Sequence, residues 1–307
     1  VTTRSNTFFA FILSGIISAG ISPSALAADV AIVISRDIAM YREAAAALEK
    51  ALPPGTAATY VFSSESKSAV SEVLRQVHRE KPKLVVAIGS KAAAEASREL
   101  PKTPMVYLMV VYPEQQGLLD IKNAYGVSWQ PSASALVSTI RTLLPGAKRV
   151  GILSSLPKRA SSDLAEECES AGLDLNIASI KDSSELAQGL RSLSGKMDVM
   201  WMGSDPAVAN ESAYNLLKTF SVQNKIPFLV PFHLPSGNRA LAGISVTPTL
   251  AGAAAQQLVE QLLAGKKPRQ ALSFSKDIEL TIDLINARSI DVTIPEEAKK
   301  TAAKIFD

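Results

Sequence analysis

Two junctions in the chain carry the amides and side chains best suited to holding a small ligand. Leu84-Val85-Val86-Ala87-Ile88 runs apolar, breaks at Gly89-Ser90-Lys91 and restarts as an alanine-rich, helix-favouring segment. Strand, tight turn and helix N-terminus in that order leave the first helical amides without intrahelical partners. They also set the positive end of the helix dipole at the turn, which suits an anion. Asp198 to Met202 repeats the apolar run and Gly203-Ser204 repeats the break, but Asp205 stands where the first copy has Lys91. One turn favours negative charge and the other carries it, so a ligand that bridges them has both signs, as an amino acid does. Each turn also has a plain structural reading. A serine at a helix start is an N-cap worth about 1 kcal/mol with no ligand, and Asp205-Pro206 is an ordinary way to begin a helix.

Strands and helices must alternate around these turns to position them. Val30 to Ile34 reads as a buried strand, and Ile38 to Leu52 has helical spacing until Pro53-Pro54 stops it. Strands follow at Thr59 to Phe62, Leu84 to Ile88 and Met105 to Val110, separated by helices at Ser68 to Glu80 and Lys91 to Leu100. After an extended piece at Ala124 to Trp129 the order restarts, with a helix at Ala133 to Leu144 and a strand at Arg149 to Leu153. Val30 to Ser35 parallels Val150 to Ser155, the two Gly-Ser turns correspond, and Lys102 to Leu108 matches Lys225 to Val230. Alternation of this kind implies parallel pairing. The expected fold is α/β: two similar Rossmann-like lobes with parallel sheets and a hinge cleft.

Ligands of open parallel sheets sit beyond the carboxyl ends of the strands. The loops there are Ser35-Arg36-Asp37, Gly89-Ser90-Lys91 and Val111-Tyr112-Pro113 in the first series. In the second they are Ser154-Ser155, Gly203-Ser204-Asp205 and Phe232-His233. Tyr112, Phe232 and Trp129 are candidates to line an aromatic pocket, whereas Trp201 belongs to a strand core. Later elements are a strand at Ala240 to Val246, a helix at Leu250 to Leu263, an alternating stretch at Ile278 to Leu284 and a final helix from Ile294-Pro295-Glu296.

Composition excludes several functions. Formal net charge is only +3, too balanced for a nucleic-acid binder. With two histidines and one cysteine, Cys168, a clustered metal site is not expected, nor is an intramolecular disulfide. No nucleophile elbow, Walker A loop or dinucleotide fingerprint is present, so neither enzyme activity nor a cofactor is expected. Residues 1–27 combine Arg4, an apolar stretch from Phe8 to Ile21 and small residues at Ala25-Leu26-Ala27. The stretch is shorter than the about 20 residues a bilayer span needs, so it reads as an export signal cleaved after Ala27. The expected mature protein is periplasmic, monomeric and free of stable membrane insertion.

The order of Ala87-Ile88-Gly89-Ser90-Lys91-Ala92, Leu144-Pro145-Gly146-Ala147-Lys148-Arg149-Val150-Gly151, Gly203-Ser204-Asp205 and Ala240-Leu241-Ala242 carries a resemblance. Leu284 with Ala287, Ile294, Pro295 and Glu296 completes it. Together they resemble the ABC-transporter substrate-binding proteins that include the TrpX-like tryptophan-binding proteins and share a type 1 periplasmic-binding fold. The resemblance implies three crossings between lobes, hinge closure on a small ligand and delivery to ABC permease subunits. It also implies lobes at 28–127 plus about 247–276, and at 128–246 plus about 277–307. For an amino-acid ligand, it implies a carboxylate at Gly89-Ser90 and an ammonium at Asp205. Tyr112-Pro113 stands where such proteins often carry Asp-Pro, Arg239 where a glycine is usual, and Ser35-Arg36-Asp37 departs from the family pattern. A ligand-sensing subunit and an exported α/β enzyme are the alternative readings of the same fold.

Overall fold

The computed structural model describes residues 28–157, 161–235 and 240–307; residues 1–27, read from sequence as an export signal, and Arg239 lie outside them. The chain opens with β1 (Val30–Ile34), α1 (Ala39–Ala51), β2 (Ala57–Val61), α2 (Lys67–Glu80), β3 (Leu84–Ile88), α3 (Ser90–Glu99), β4 (Met105–Leu108) and β5 (Ala124–Pro131). It continues through α4 (Ala133–Leu143), β6 (Arg149–Ser154), α5 (Ser162–Ser170), β7 (Asp174–Ser179), α6 (Leu186–Leu193), β8 (Val199–Trp201), α7 (Glu211–Asn224), β9 (Phe228–Val230) and β10 (Ala242–Ser245). The last elements are α8 (Pro248–Leu263), β11 (Leu272–Ser275), β12 (Glu279–Asp283), α9 (Leu284–Ser289), α10 (Glu296–Thr301) and β13 (Lys304–Phe306).

Two sheets result, ordered β11-β5-β4-β3-β1-β2 and β13-β12-β10-β9-β8-β6-β7. The chain passes between them after β5, after β10 and after β11. β1 and β3 are buried at every position, the condition of central parallel strands covered on both faces, and both read in sequence as unbroken apolar runs. Helix α2 turns Val70, Leu74 and Val77 inward at helical spacing, and the Ser66 hydroxyl caps it by accepting from the Ala69 amide. α8 packs on α1 so closely that a Cβ on Gly252 would overlap the Ala44 carbonyl oxygen. Glycine is required there because the two helix backbones nearly touch. α8 thereby joins the core of the first sheet, while Ala298 of α10 joins that of the second.

Three differences from the sequence reading have physical causes. β12 runs antiparallel to β10, because the chain re-enters the second sheet straight from β11 with no crossover helix. β4 ends at Leu108 because Met109 turns left-handed, with φ at 55°. β7, β11 and β13 are strands that the apolar pattern does not announce. β7 and β13 border the second sheet and β11 the first; β7 and β11 alternate polar with apolar residues, and β13 is only three residues long.

Candidate functional site

At the end of β3 the backbone turns through Gly89, with φ 90° and ψ 157°, a region open essentially to glycine alone. Space restricts the position as well, since a Cβ there would stand 2.7 Å from the Ser35 hydroxyl and 2.8 Å from the Tyr41 ring. Gly89 rather than Ser90 is the N-cap, and Ser90 is the first helical residue of α3. The cap bond comes from across the sheet, where the Ser35 Oγ, buried at the end of β1, accepts from the Ala92 amide at 2.8 Å. Ser35 therefore serves the helix end. The Ser90 and Lys91 amides, by helix geometry, have no intrahelical acceptor and remain at the turn. Tyr41, one turn into α1, adds its ring to the site; sequence spacing does not reveal it, because its neighbour Gly89 is 48 positions away.

The loop after β4 leans on this turn. Tyr112 is a second left-handed residue, with φ 50°, a costly conformation for a bulky side chain. Its carbonyl accepts from the Gln115 and Gln116 amides at 3.0 and 3.3 Å. Burial pushes the Tyr112 phenol above its ordinary value, and the charges of Asp205 in the second lobe and Glu114 in its own loop push it further. Tyr112 and Asp205 thus feel each other across the two lobes.

In the second lobe Asp205 is buried, and its carboxylate gathers the ends of β6 and β8. Oδ2 accepts from the Ser154 hydroxyl at 2.9 Å, the Ser155 amide at 2.6 Å and the Leu156 amide at 3.2 Å. Oδ1 accepts from the Ser155 hydroxyl at 2.6 Å and the Ala207 amide at 2.9 Å. A carboxylate has about four acceptor positions, so these five bonds occupy it fully. The chain does not enter a helix at Pro206; it makes a turn, and α7 starts at Glu211 with Asn210 as its cap. Asn210 meets the Ala213 amide where a helix can continue, whereas Asp205 is committed to the neighbouring strand. Ser204 is half-buried beside it.

Several expected ligand residues have partners of their own. Arg36 lies 3.4 Å from Glu65, and Asp37 is held by Arg42 at 2.7 Å, which keeps the Asp37 carboxyl below its usual value. The Lys91 ammonium reaches Glu95 at 2.9 Å, along its own helix. His233 Nδ1 is 2.8 Å from Glu279. The Trp129 indole donates to the Val246 carbonyl at 2.8 Å and packs on the first core, fastening a crossing between lobes. Trp201 is core. Phe232 is 36% exposed, with its ring 5.8 Å from that of Tyr214, so an aromatic surface faces outward where β9 ends. Burial lifts the Tyr214 phenol to about 12, with a further push from Asp283. A recess of about 380 Å³ lies by the crossings, lined by Glu43, Thr249 and Leu250 on one side and Glu279, Leu280 and Thr301 on the other; no turn residue lines it. Among the described residues, no cluster of three His, Cys, Asp or Glu is placed to hold a metal, and no helix is long and apolar enough to cross a membrane.

Comparison with known proteins adds relatives to this geometry. Residues 55–306 match the family described as ABC transporter substrate binding protein. A tyrosine-binding protein of Clostridioides difficile is 26% identical over 196 residues, covering 61% of this chain and 56% of that protein, so the match spans little more than half of the relative's length. Among solved structures, the ligand-free, open form of a Clostridium difficile substrate binding protein with adhesive properties aligns with a TM-score of 0.64 at 19% identity, covering 90% of this chain and 98% of the other. An ABC domain from Streptococcus pneumonia in complex with L-Trp aligns with a TM-score of 0.55 at 20% identity, covering 91% and 99%. At these identities the two structures speak for the fold alone.

Proposed function

Because the chain belongs to the ABC transporter substrate-binding protein family, we propose that it captures an amino acid between its lobes and delivers it to an ABC importer. The observation that carries the ligand class is the opposite hydrogen-bonding polarity of the two strand-end turns. In the first lobe the Ser90 and Lys91 amides offer donors at a helix N-terminus, which suits a carboxylate. In the second lobe Asp205 accepts from the Ser154 and Ser155 hydroxyls; the Ser154 oxygen is engaged by the Leu156 amide at 3.1 Å, so the Ser155 oxygen is the acceptor, backed by a buried negative charge, which suits an ammonium. Tyr112 and the exposed Phe232 favour an aromatic side chain, and the name of the tyrosine-binding relative supports the same class. The lobes close about their crossings once both ends of the ligand are held, which selects the closed state. The reading places the protein in the periplasm as a monomer, exported by the signal read in residues 1–27.

A thermal-shift screen across the twenty amino acids, nucleosides, sugars and small carboxylates tests the proposal. Ligand at 100 times its Kd stabilises by about 2.7 kcal/mol, a rise of several degrees in Tm. The expected hits are aromatic amino acids. Stabilisation by sugars or nucleosides alone, or conversion of a hit to product, would overturn the reading.

A further inference from the structure

Ser90 is the side chain of the donor turn best placed to meet a carboxylate, yet a hydroxyl can donate or accept, and its own residue does not decide which. The decision comes from the loop after β4. The Gln116 side-chain nitrogen lies 2.5 Å from the Val111 carbonyl oxygen, which can only accept, so the amide is oriented with its NH2 group on that side. The same nitrogen is 3.1 Å from the Ser90 Oγ. The Val111 amide also points at the Ser90 Oγ, at 3.4 Å. Two donors aimed at one hydroxyl oxygen fill both of its lone pairs, and what remains is the proton.

We infer that Gln116 is a positioning residue: it holds the Ser90 hydroxyl as a donor, so that this hydroxyl and the Ser90 and Lys91 amides converge on a carboxylate. Gln116 need not touch the ligand. It also ties the Tyr112 loop to the anion turn, since its backbone amide bonds the Tyr112 carbonyl while its side chain bonds Ser90. A carboxylate arriving at the turn and the loop that carries Tyr112 toward Asp205 are thereby linked through one side chain. The inference rests on the proposed amino-acid function for the role of the turn, but its chemistry concerns a carboxylate of any origin.

Acetate is therefore the probe. Titrated into the full chain at neutral pH, it is expected to move the backbone amide resonances of Ser90 and Lys91 saturably. Ser90→Ala should weaken acetate about tenfold, and Gln116→Met, which keeps the length but removes the donor, about threefold. The decisive reading is the double variant. If Gln116 acts by orienting the Ser90 hydroxyl, adding Gln116→Met to Ser90→Ala costs nothing further, whereas independent effects multiply. Multiplying effects, or wild-type resonances that acetate leaves unmoved, would overturn the inference. A Gln116→Met variant that loses acetate only together with several degrees of Tm would reduce the residue to a structural role and overturn it as well. An amino-acid screen without hits, beside a working acetate cycle, would overturn the proposed ligand and leave Gln116 standing.

Discussion

The two Gly-Ser turns share a sequence signature and differ in almost everything the signature suggests. Gly89 sits in a glycine-only conformation with Ser35 and Tyr41 against the place of its missing Cβ, and it opens directly into α3. Gly203 is not left-handed, its nearest neighbour at the Cβ position is the Trp201 indole nitrogen at 3.9 Å, and no helix begins until Glu211. The first turn displays backbone donors; the second hides a carboxylate behind two serines. One signature can therefore present opposite hydrogen-bonding polarity, because polarity is set by the partners each turn finds across the sheet; the proposed amino-acid function uses this contrast.

The sharpest way to break the comparison is at Asp205. If it were a ligand contact alone, removing it would spare the fold. Its five donors say otherwise: Asp205→Ala leaves the Ser155 and Ala207 amides without their acceptor and the Leu156 amide with the Ser154 hydroxyl alone. At about 1–3 kcal/mol for each group left unsatisfied, a loss of several kcal/mol is expected. Thermal or urea unfolding of ligand-free protein measures it. An unchanged midpoint would return Asp205 to the role of a free receptor. Next in size is the contrast between the glycines. Gly89→Ala meets both the wrong φ and contacts under 3.0 Å, and about 2–4 kcal/mol should be lost. Gly203→Ala has room and an ordinary backbone, and should stay within about 0.5 kcal/mol of wild type. Equal losses would mean that the two turns are equivalent after all.

Much of this fold can be read from the residues, and the reasons are local. β1 and β3 are legible to the residue because strands covered on both faces are written as continuous apolar runs. The positions of both turns are legible because glycine followed by a small polar residue punctuates such runs. The function of the turns is not, since it depends on bonds between distant positions: Ser35 with Ala92, Gln116 with Ser90, and Ser154 and Ser155 with Asp205. Nothing in the spacing of Ser35, Arg36 and Lys91 tells that the first caps a helix and the other two pair with Glu65 and Glu95. The edge strands β7 and β13 escape the pattern for the opposite reason, β7 because polar residues interrupt it and β13 because it is only three residues long.

A smaller effect separates the two turns by ligand chemistry. With L-tyrosine and its deaminated analogue as a pair, Ser90→Ala should weaken both about equally, because both keep the carboxylate. Ser155→Ala should weaken only the amino acid, by about tenfold, if the proposed function holds and the lost oxygen is the acceptor it assigns to the ammonium. Calorimetry on the four combinations reads the result. Equal losses from Ser155→Ala would contradict the assigned polarity.

The smallest effect lies at the other ends of the same strands, where each lobe again has an aspartate. Asp198 bonds the Lys148 and Arg149 amides at 2.9 Å and the Arg149 guanidinium at 2.6 Å, tying the starts of β6 and β8 as Asp205 ties their finishes. The Arg149 side chain, more than the two amides, holds the Asp198 carboxyl below its usual value. A carboxyl whose value is lowered by folding contributes stability fully above its unfolded value, near 4. That contribution fades as pH falls through the folded value. With the pair partly open to water, it is worth about 1 kcal/mol. In the first lobe the Asp29 carboxylate meets the Lys83 ammonium at 2.9 Å, and both side chains are well exposed. Unfolding midpoints from pH 7 down to pH 3 should show Asp198→Asn less stable than wild type at neutral pH, with the gap closing below about pH 4. Asp29→Asn should follow wild type throughout, because an exposed pair of this kind contributes almost nothing measurable. A gap that persists undiminished to pH 3 would show that packing around Asp198, and not its charge, joins the strands of the second lobe.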